Sequence, residues 1–238
     1  MSAKPPSTDL ENLPPPMPLS TLIIMLLAVA LGAFAATMVL PNWLPGLSQS
    51  LLGNEPKAYW YLSRSSALIA YALLWLSMAL GMMITNKLAR LWPGGPTAFD
   101  LHQFASLLGL TFSLFHALIL MGDKYISYSL AQVLIPFNST GYKPVWVGFG
   151  QLSFYLLAIV GLSFYVRKRL GHRTWRMIHY LSFLMFVLAI LHGILAGTDT
   201  GVLAVRVFYW ATGAILLFLL VYRILATKFT LKKQAKAA

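Results

Sequence analysis

Four histidines occupy two apolar stretches of the 238-residue chain, and their spacing would allow them to hold a cofactor. His102 and His116 lie in one stretch, and His179 and His192 lie in another. Imidazole is the commonest metal ligand in proteins. Ionisable side chains inside apolar segments are rare and usually functional. These four side chains are therefore the first candidates for the chemistry of this protein.

The two stretches place their histidines at matching positions. His102 and His179 come near the starts of their segments, and His116 and His192 are each the sixteenth residue. If both segments are helices that run in the same direction, the histidines form two pairs, one pair roughly 20 Å above the other at 1.5 Å per residue. Two imidazoles that face each other at one depth can clamp a flat macrocycle between them.

The helical phase of the two stretches differs. A 14-residue step brings His116 to within about 40° of His102 around the helix axis. The 13-residue step instead places His192 about 140° away from His179 around its own axis. We therefore expect the second of these helices to contain a bulge, to tilt, or to present its two histidines toward different sides.

The composition is that of a membrane protein. Hydrophobic residues make up 58% of the chain and charged residues only 10%, whereas soluble domains contain about 25% charged residues. This balance excludes a disordered chain, a collagen and a soluble enzyme. The chain contains no cysteine, which excludes disulfides, cysteine-ligated zinc, iron–sulfur clusters and covalently attached haem.

Hydropathy predicts an all-α integral membrane protein built as a bundle of six transmembrane helices. Each apolar run approaches or exceeds the roughly 20 residues that cross a bilayer as a helix, about twice the length of a barrel strand. The predicted spans are 20–40, 59–84, 101–121, 145–166, 177–196 and roughly 205–225. The Pro-Gly-Gly-Pro run at 93–96 is expected to break the chain before the third span, with Asp100 as the N-cap of that helix.

The distribution of Lys and Arg predicts the orientation. Thirteen of the 18 basic residues fall before the first span, between the second and third, between the fourth and fifth, or in the last residues of the sixth span and after it. The positive-inside rule then places both termini in the cytoplasm, in a multi-pass protein of the cell membrane. The same rule accounts for the net charge of +12 without a nucleic-acid partner.

The chain is predicted to consist of three parts. Residues 1–19 form a Pro-rich disordered tail, residues 20–225 form the membrane domain, and residues 226–238 form a basic tail. The first span is expected to be retained, because its apolar run is longer than the core of a signal peptide. A cleaved signal peptide is the alternative.

The ligand set favours haem over a bare metal. Zinc sites usually have three or four protein ligands, whereas each depth here offers two histidines with no acidic residue beside them. A porphyrin supplies four equatorial nitrogens and needs only two axial ligands. Histidines that serve only as hydrogen-bonded packing residues are the alternative.

These motifs resemble the transmembrane domain of ferric reductases and NADPH oxidases, including the stand-alone haem subunits that serve methionine sulfoxide reductases. The resemblance is strongest over residues 64–196. It rests on the two histidines of the third span, on the run WRMIHYLS at 175–182, and on His192-Gly193. It implies that His102 pairs with His179 on the cytoplasmic side, and that His116 pairs with His192 on the outer side, each pair holding one b-type haem.

The resemblance also implies a function. The protein would be a di-haem b-type cytochrome with two non-covalent haems that transfers single electrons across the membrane. Few residues follow the sixth span, so no FAD or NAD(P) site is expected in this chain. A separate flavoprotein reductase or a quinol would donate electrons, and an extracytoplasmic protein, ferric iron or oxygen would accept them.

Two other functions fit the same sequence features. The protein could instead be a quinol-oxidising haem subunit that feeds an extracytoplasmic reductase of the methionine sulfoxide type. The other alternative is a non-redox membrane scaffold or transporter.

Haem propionates need cations or hydrogen-bond donors, and several arginines are candidates. Arg173 and Arg176 precede His179 and would serve the inner haem, while Arg64 and Arg206 would serve the outer one. Anchoring at the membrane interface is the alternative for each. The fifth histidine, His172, is expected to be a surface contact. Five tryptophans near span ends are typical of an interfacial belt, namely Trp43, Trp60, Trp92, Trp146 and Trp175.

Overall fold

The computed structural model describes residues 15–43, 58–123 and 126–235, which contain helices and no strands. The long helices are α1 (Leu19–Phe34), α2 (Ala58–Thr85), α3 (Gly95–Ile119), α4 (Pro144–Ser163), α5 (His172–Leu195) and α6 (Leu203–Ala235). A π-helical turn, Ala35–Val39, continues α1 and leads into Leu40–Trp43. The shorter elements are the helices Leu130–Leu134 and Arg167–Leu170 and the 3₁₀ turns Leu88–Arg90, Leu120–Gly122 and Asp199–Gly201.

Six helices are long and apolar enough to cross a membrane, if the π-helical turn is counted with α1. The predicted all-α architecture with six candidate spans is therefore confirmed. Large apolar side chains on α1 and α6, such as Ile24, Leu31 and Phe218, are exposed. Such a surface is unfavourable in water and is expected where lipid is the solvent.

The start of α3 differs from the prediction. The helix begins at Gly95, six residues before the expected start of the span, and Gly94 rather than Asp100 occupies the N-cap. Gly94 has a φ of 103°, which glycine adopts readily. Pro96 lies in the first turn, where a missing N–H breaks no helical hydrogen bond. The break expected at residues 93–96 is therefore present, but α3 begins within it, at Gly95.

Helix α5 also begins earlier than expected, at His172 instead of Met177. Because α3 and α5 are extended by similar lengths, the matched depths persist. His102 and His179 are each the eighth residue of their helices. Helix α5 is α-helical from His172 to Leu195, so the bulge that the 13-residue step allowed is not present.

Two antiparallel helix pairs form the centre of the bundle. Helix α2 packs along α3, and α4 packs along α5, while α1 lies against α3 and α6 lies against α2. A buried cluster joins the two pairs through Leu74, Leu110, Leu157 and Met185, one residue from each of α2 to α5. Close packing of this kind holds membrane helices together, because lipid tails are as apolar as the side chains themselves.

The two predicted tails are described only in part. Residues 1–14 of the Pro-rich tail lie outside the described residues. Helix α6 continues to Ala235, through most of the segment predicted as a basic tail.

The contact between α2 and α3 depends on a small residue at Gly109. A Cβ atom at this position would lie 3.0 Å from Leu74 Cδ2. We expect Gly109→Leu to lower the unfolding free energy by about 1–3 kcal/mol, as overpacking does, measured by thermal unfolding in detergent. Gly161→Leu on α4 is the matched control, because no atom lies within 4 Å of a Cβ there. Equal stability of the two variants would contradict this account of the α2–α3 contact.

Candidate functional site

The structure brings the four histidines together in two pairs. The ring centroids of His102 and His179 (pair 1) are 6.0 Å apart, and the rings are inclined at 71°. The centroids of His116 and His192 (pair 2) are also 6.0 Å apart, with the rings at 68°. Because each early histidine of α3 meets the early histidine of α5, the two helices run in the same direction. Binding of haem by these side chains remains a prediction.

Pair 1 is held on α2 by a reciprocal set of hydrogen bonds. His102 Nδ1 lies 2.7 Å from the Ser77 carbonyl oxygen. In return, the Ser77 hydroxyl donates to the His102 carbonyl at 3.2 Å. Ser77 is 5% exposed, so this contact lies inside the bundle and excludes solvent from one side of the imidazole.

Pair 2 repeats the same arrangement farther along the helices. His116 Nδ1 lies 2.8 Å from the Ser63 carbonyl oxygen, and the Ser63 hydroxyl donates to the His116 carbonyl at 3.1 Å. The serines are 14 residues apart on α2, as the histidines are on antiparallel α3. Sequence reasoning missed both serines, although this shared spacing was a signal that could have revealed them.

The hydrogen bonds determine which ring nitrogen is available. A carbonyl oxygen can only accept, so the Nδ1 atoms of His102 and His116 must carry the proton. His192 Nδ1 likewise lies 2.9 Å from the Trp146 carbonyl oxygen. In the neutral form of these three rings, Nε2 is left with its lone pair free. An Nδ1–H group bonded to a carbonyl is the usual arrangement for a histidine that binds a metal through Nε2.

His179 is positioned differently from the other three histidines. Its ring stacks on Trp175, with a centroid distance of 5.3 Å and an angle of 28°. His192 is instead turned toward α4, where its Nδ1 meets Trp146. Since α5 is a regular helix, the two histidines reach their partners from different sides of its axis. This is one of the three solutions that the 13-residue step allowed. Trp175 therefore contacts His179, a candidate metal ligand. The sequence had predicted only that Trp175 belongs to an interfacial belt.

Small residues give the imidazoles room. A Cβ on Gly81 would lie 3.1 Å from His102 Cε1, and a Cβ on Gly150 would lie 2.6 Å from His192 Nδ1. Any side chain at Gly150 would displace the ring. Ala67 follows Ser63 by four residues, as Gly81 follows Ser77, so α2 presents a small residue beside each pair.

The distance within each pair suits one iron atom between two axial imidazoles. A histidine nitrogen lies about 2 Å from its metal, and the ring centre lies about 1 Å behind that nitrogen. The ring centres of two axial ligands are therefore about 6 Å apart. No cluster of three or more His, Cys, Asp or Glu side chains occurs in the described parts of the chain. Each pair thus offers the two ligands that a porphyrin needs, and fewer than zinc usually has.

A large, mostly apolar cavity adjoins pair 2. The cavity itself has a volume of about 220 Å³ and opens into a wider space. His116, His192, Ala67 and Gly150 line it, so the groups that position the histidines also shape the space beside them. Mostly apolar walls with a few polar groups are typical of cofactor sites.

Of the four candidate propionate ligands, Arg64 lines this cavity. Its Nε donates to Asp199 Oδ2 at 2.7 Å, and Nη2 pairs with the other carboxylate oxygen. Asp199 also lines the cavity, and sequence reasoning missed its role. Arg206 is exposed on α6. An anion that enters the cavity near Arg64 would therefore meet a guanidinium already shared with a carboxylate.

The arginines expected beside pair 1 lie at the surface. Arg173 and Arg176 are exposed in the first turns of α5. Arg176 Nη1 donates to His172 Nε2 at 3.2 Å, and His172 is exposed, as expected. Exposed positions such as those of Arg173 and Arg176 are typical of arginines that anchor a helix at the membrane interface, which was the alternative to contact with a haem propionate.

A family model described as a domain of unknown function, DUF8596, matches residues 58–199. The chain belongs to this family. The matched DUF8596 region begins with the first residue of α2 and ends at Asp199, so it contains both histidine pairs, their serine partners and the Arg64–Asp199 ion pair. No curated protein and no solved structure matches the chain.

The ion pair at the edge of the DUF8596 region should contribute to stability. The Arg64 and Asp199 side chains are 32% and 18% exposed, so each would leave a poorly solvated charge if its partner were removed. We expect Arg64→Gln and Asp199→Asn each to lower the melting temperature. The double variant should lose less than the sum, with a coupling of about 0.5–3 kcal/mol. The exposed Arg206→Gln should change stability by no more than about 0.5 kcal/mol. Additive losses would mean that the pair is not coupled in solution.

Proposed function

We propose that the protein is a membrane-embedded b-type cytochrome of the ferric-reductase-like kind, with one non-covalent haem at each histidine pair. It would carry single electrons from one face of the membrane to the other. The observation that carries this proposal is the pair geometry: two imidazole pairs at two depths, each with ring centroids 6.0 Å apart. Three of the four rings also have the Nδ1–H engaged.

The residues of the chain would perform three tasks. The imidazoles would hold the iron through Nε2, while the carbonyls of Ser63, Ser77 and Trp146 fix ring orientation and increase ligand basicity. The cofactor, when bound, supplies one-electron chemistry. The protein tunes its potential through the axial ligands, their hydrogen bonds and their burial.

The layer between the two pairs supports electron transfer over ion transport. It consists of the Leu74 cluster that joins α2 to α5 and of Tyr71 stacked on Phe186 at 5.7 Å and 29°. Both aromatic rings are buried. Tyr71, Leu74 and Leu157 also line the cavity beside pair 2, whereas Leu110, Met185 and Phe186 are not among its lining residues. Apolar side chains offer an ion no ligands, whereas an electron can cross such a layer between two redox centres.

The charge distribution supports an orientation for the proposal. Lys87 and Arg90 precede α3, and the basic segment 167–176 leads into α5, so these charges lie at the end of the bundle where pair 1 is found. By the positive-inside rule that end would be cytoplasmic, as would both termini, and the membrane would be the cell membrane. A flavoprotein reductase or a quinol would then donate electrons at pair 1, and an extracytoplasmic acceptor would take them at pair 2.

The proposal predicts haem content directly. Protein purified from haem-replete cells should contain close to two non-covalent b haems per chain in a pyridine haemochrome assay. The reduced protein should show the spectrum of a low-spin cytochrome with two axial imidazoles. Protein that folds and carries no haem would refute the proposal, and one haem per chain would restrict it to a single pair.

The pairing predicts which haem each variant loses. His102→Ala and His179→Ala should remove the same haem, and His116→Ala and His192→Ala should remove the other, because loss of one axial imidazole leaves an incomplete site. The matched control is His172→Ala, which removes an exposed histidine of α5 and should retain both haems. Redox titration of each variant would identify the remaining haem. Loss of the same haem in His102→Ala and His192→Ala would show that the pairing is wrong.

A further inference from the structure

Two polar groups beside pair 1 are buried without a hydrogen-bond partner among the described residues. Gln103 is 7% exposed, and both its amide nitrogen and its amide oxygen lack a partner. The indole nitrogen of Trp175 is in the same state. Burial of an unpaired polar group is costly, and nearly all such groups in native proteins find a partner. Something outside the described contacts should therefore satisfy these atoms.

Helix phase places Gln103 on the face of α3 that meets α4 and α5. On the same stripe of α3, Phe99 lies one turn earlier and its ring is 6.2 Å from that of Phe164 at the end of α4. Leu110 lies two turns later and packs with Leu157 and Met185. Residues at such spacings share one helix face. Long side chains on a helix also lean toward its N-terminus, which directs the Gln103 amide toward the level of Phe99.

Trp175 approaches the junction of these three helices from α5. Its ring is 6.4 Å from Phe164 and 5.3 Å from His179, and His179 in turn meets His102. Trp175 thus connects the aromatic rings at the helix ends to pair 1. Gln103 and Trp175 approach this junction from α3 and α5.

A second glutamine inside the membrane domain shows that unpaired amides are not the rule here. Gln151 on α4 donates through Nε2 to the carbonyls of Gln132 and Val133, at 2.7 and 2.8 Å. Its Oε1 accepts from the Phe137 N–H at 3.1 Å. Every polar atom of this amide is therefore satisfied by the chain itself, in contrast to Gln103.

We propose that Gln103 and Trp175 form a hydrogen-bonding subsite for an oxygen group of a molecule that binds at pair 1. The subsite offers two N–H donor groups and one carbonyl acceptor. Its complement is an oxygen group that accepts hydrogen bonds and also donates one. A protonated carboxyl of a porphyrin offers this chemistry, and so does a quinol hydroxyl. This inference rests on the proposed function, because both molecules belong to a redox cytochrome.

The first test measures the protein without ligand. Gln103→Leu removes an unpaired buried amide, so it should raise the melting temperature of haem-free protein by about 2–4 °C. Gln103→Met, which keeps the length of the side chain, should do the same if leucine packs poorly. The matched control is Gln151→Leu, which breaks three hydrogen bonds and should lower the melting temperature. Destabilisation by both Gln103 variants would show that the amide is already paired and would overturn the subsite.

The second test identifies the ligand group. In the His116→Ala/His192→Ala background only pair 1 can bind, and this protein is titrated with haem and with haem dimethyl ester. If the subsite holds a carboxyl, Gln103→Leu and Trp175→Phe should each weaken haem binding about three- to tenfold. Haem dimethyl ester has no free carboxyl group, so both variants should bind it with the same affinity as the parent protein.

The quinol source gives a different result. The affinity for haem would then be unchanged, and the affinity for a water-soluble quinol analogue would fall by a similar factor in both variants. Unchanged affinities for both ligands would mean that a buried water pairs with the amide and the indole, and the inference would be wrong. Failure of wild-type protein to bind haem would refute the proposed function itself. The melting temperatures and the quinol titration would still report on the subsite in that case.

Discussion

The reciprocal hydrogen bonds between α2 and α3 are the interaction on which the site depends. Each bond set joins a serine of one helix to a histidine of the other through their backbone carbonyls, and the set occurs twice, 14 residues apart. The two sets fix the antiparallel register of the helices, since a shift by one residue would break both. The same contacts orient His102 and His116 toward α5, so the helix register and the arrangement of the histidine pairs are set together.

The membrane environment explains why so few residues carry this arrangement. Lipid provides no hydrophobic drive between helices, so close packing and polar contacts must hold them together. Gly81, Gly109 and Gly150 allow that close approach. Most polar side chains of the helices in turn hydrogen-bond to backbone groups, as the Gln151 amide does. Gln103 and Trp175 depart from this pattern beside pair 1, which is why they suggest a ligand and not a packing role.

The two pairs have unequal surroundings. Pair 2 is bonded to carbonyls on both rings and borders a large cavity, with Arg64 and Asp199 in its wall. Pair 1 has one carbonyl-bonded ring, one ring stacked on tryptophan, and two unpaired polar groups nearby. The two pairs therefore differ in hydrogen bonding and in the space beside them. In the proposed cytochrome these differences would give the two haems different potentials.

The sequence by itself determined the class of protein, the six candidate spans and the two matched depths of the histidines. These features are local or one-dimensional: hydropathy and a fixed rise per residue are enough to find them. The start of α3 was misjudged because Asp100 and the Gly94–Pro96 turn are both good local signals for a helix start, and local rules do not rank them.

Only the tertiary structure decided the partners of the site residues. The Ser63 and Ser77 contacts, the fit of Gly150 under His192 and the Arg64–Asp199 pair join residues that are 25 to 135 positions apart. Such contacts depend on helix register, tilt and rotation, which no single helix specifies. The 13-residue step in α5 illustrates this most clearly. Spacing allowed a bulge, a tilt or two different faces. In the structure α5 is regular, with His179 stacked on Trp175 of the same helix and His192 turned toward Trp146 of α4, so its two histidines use different faces.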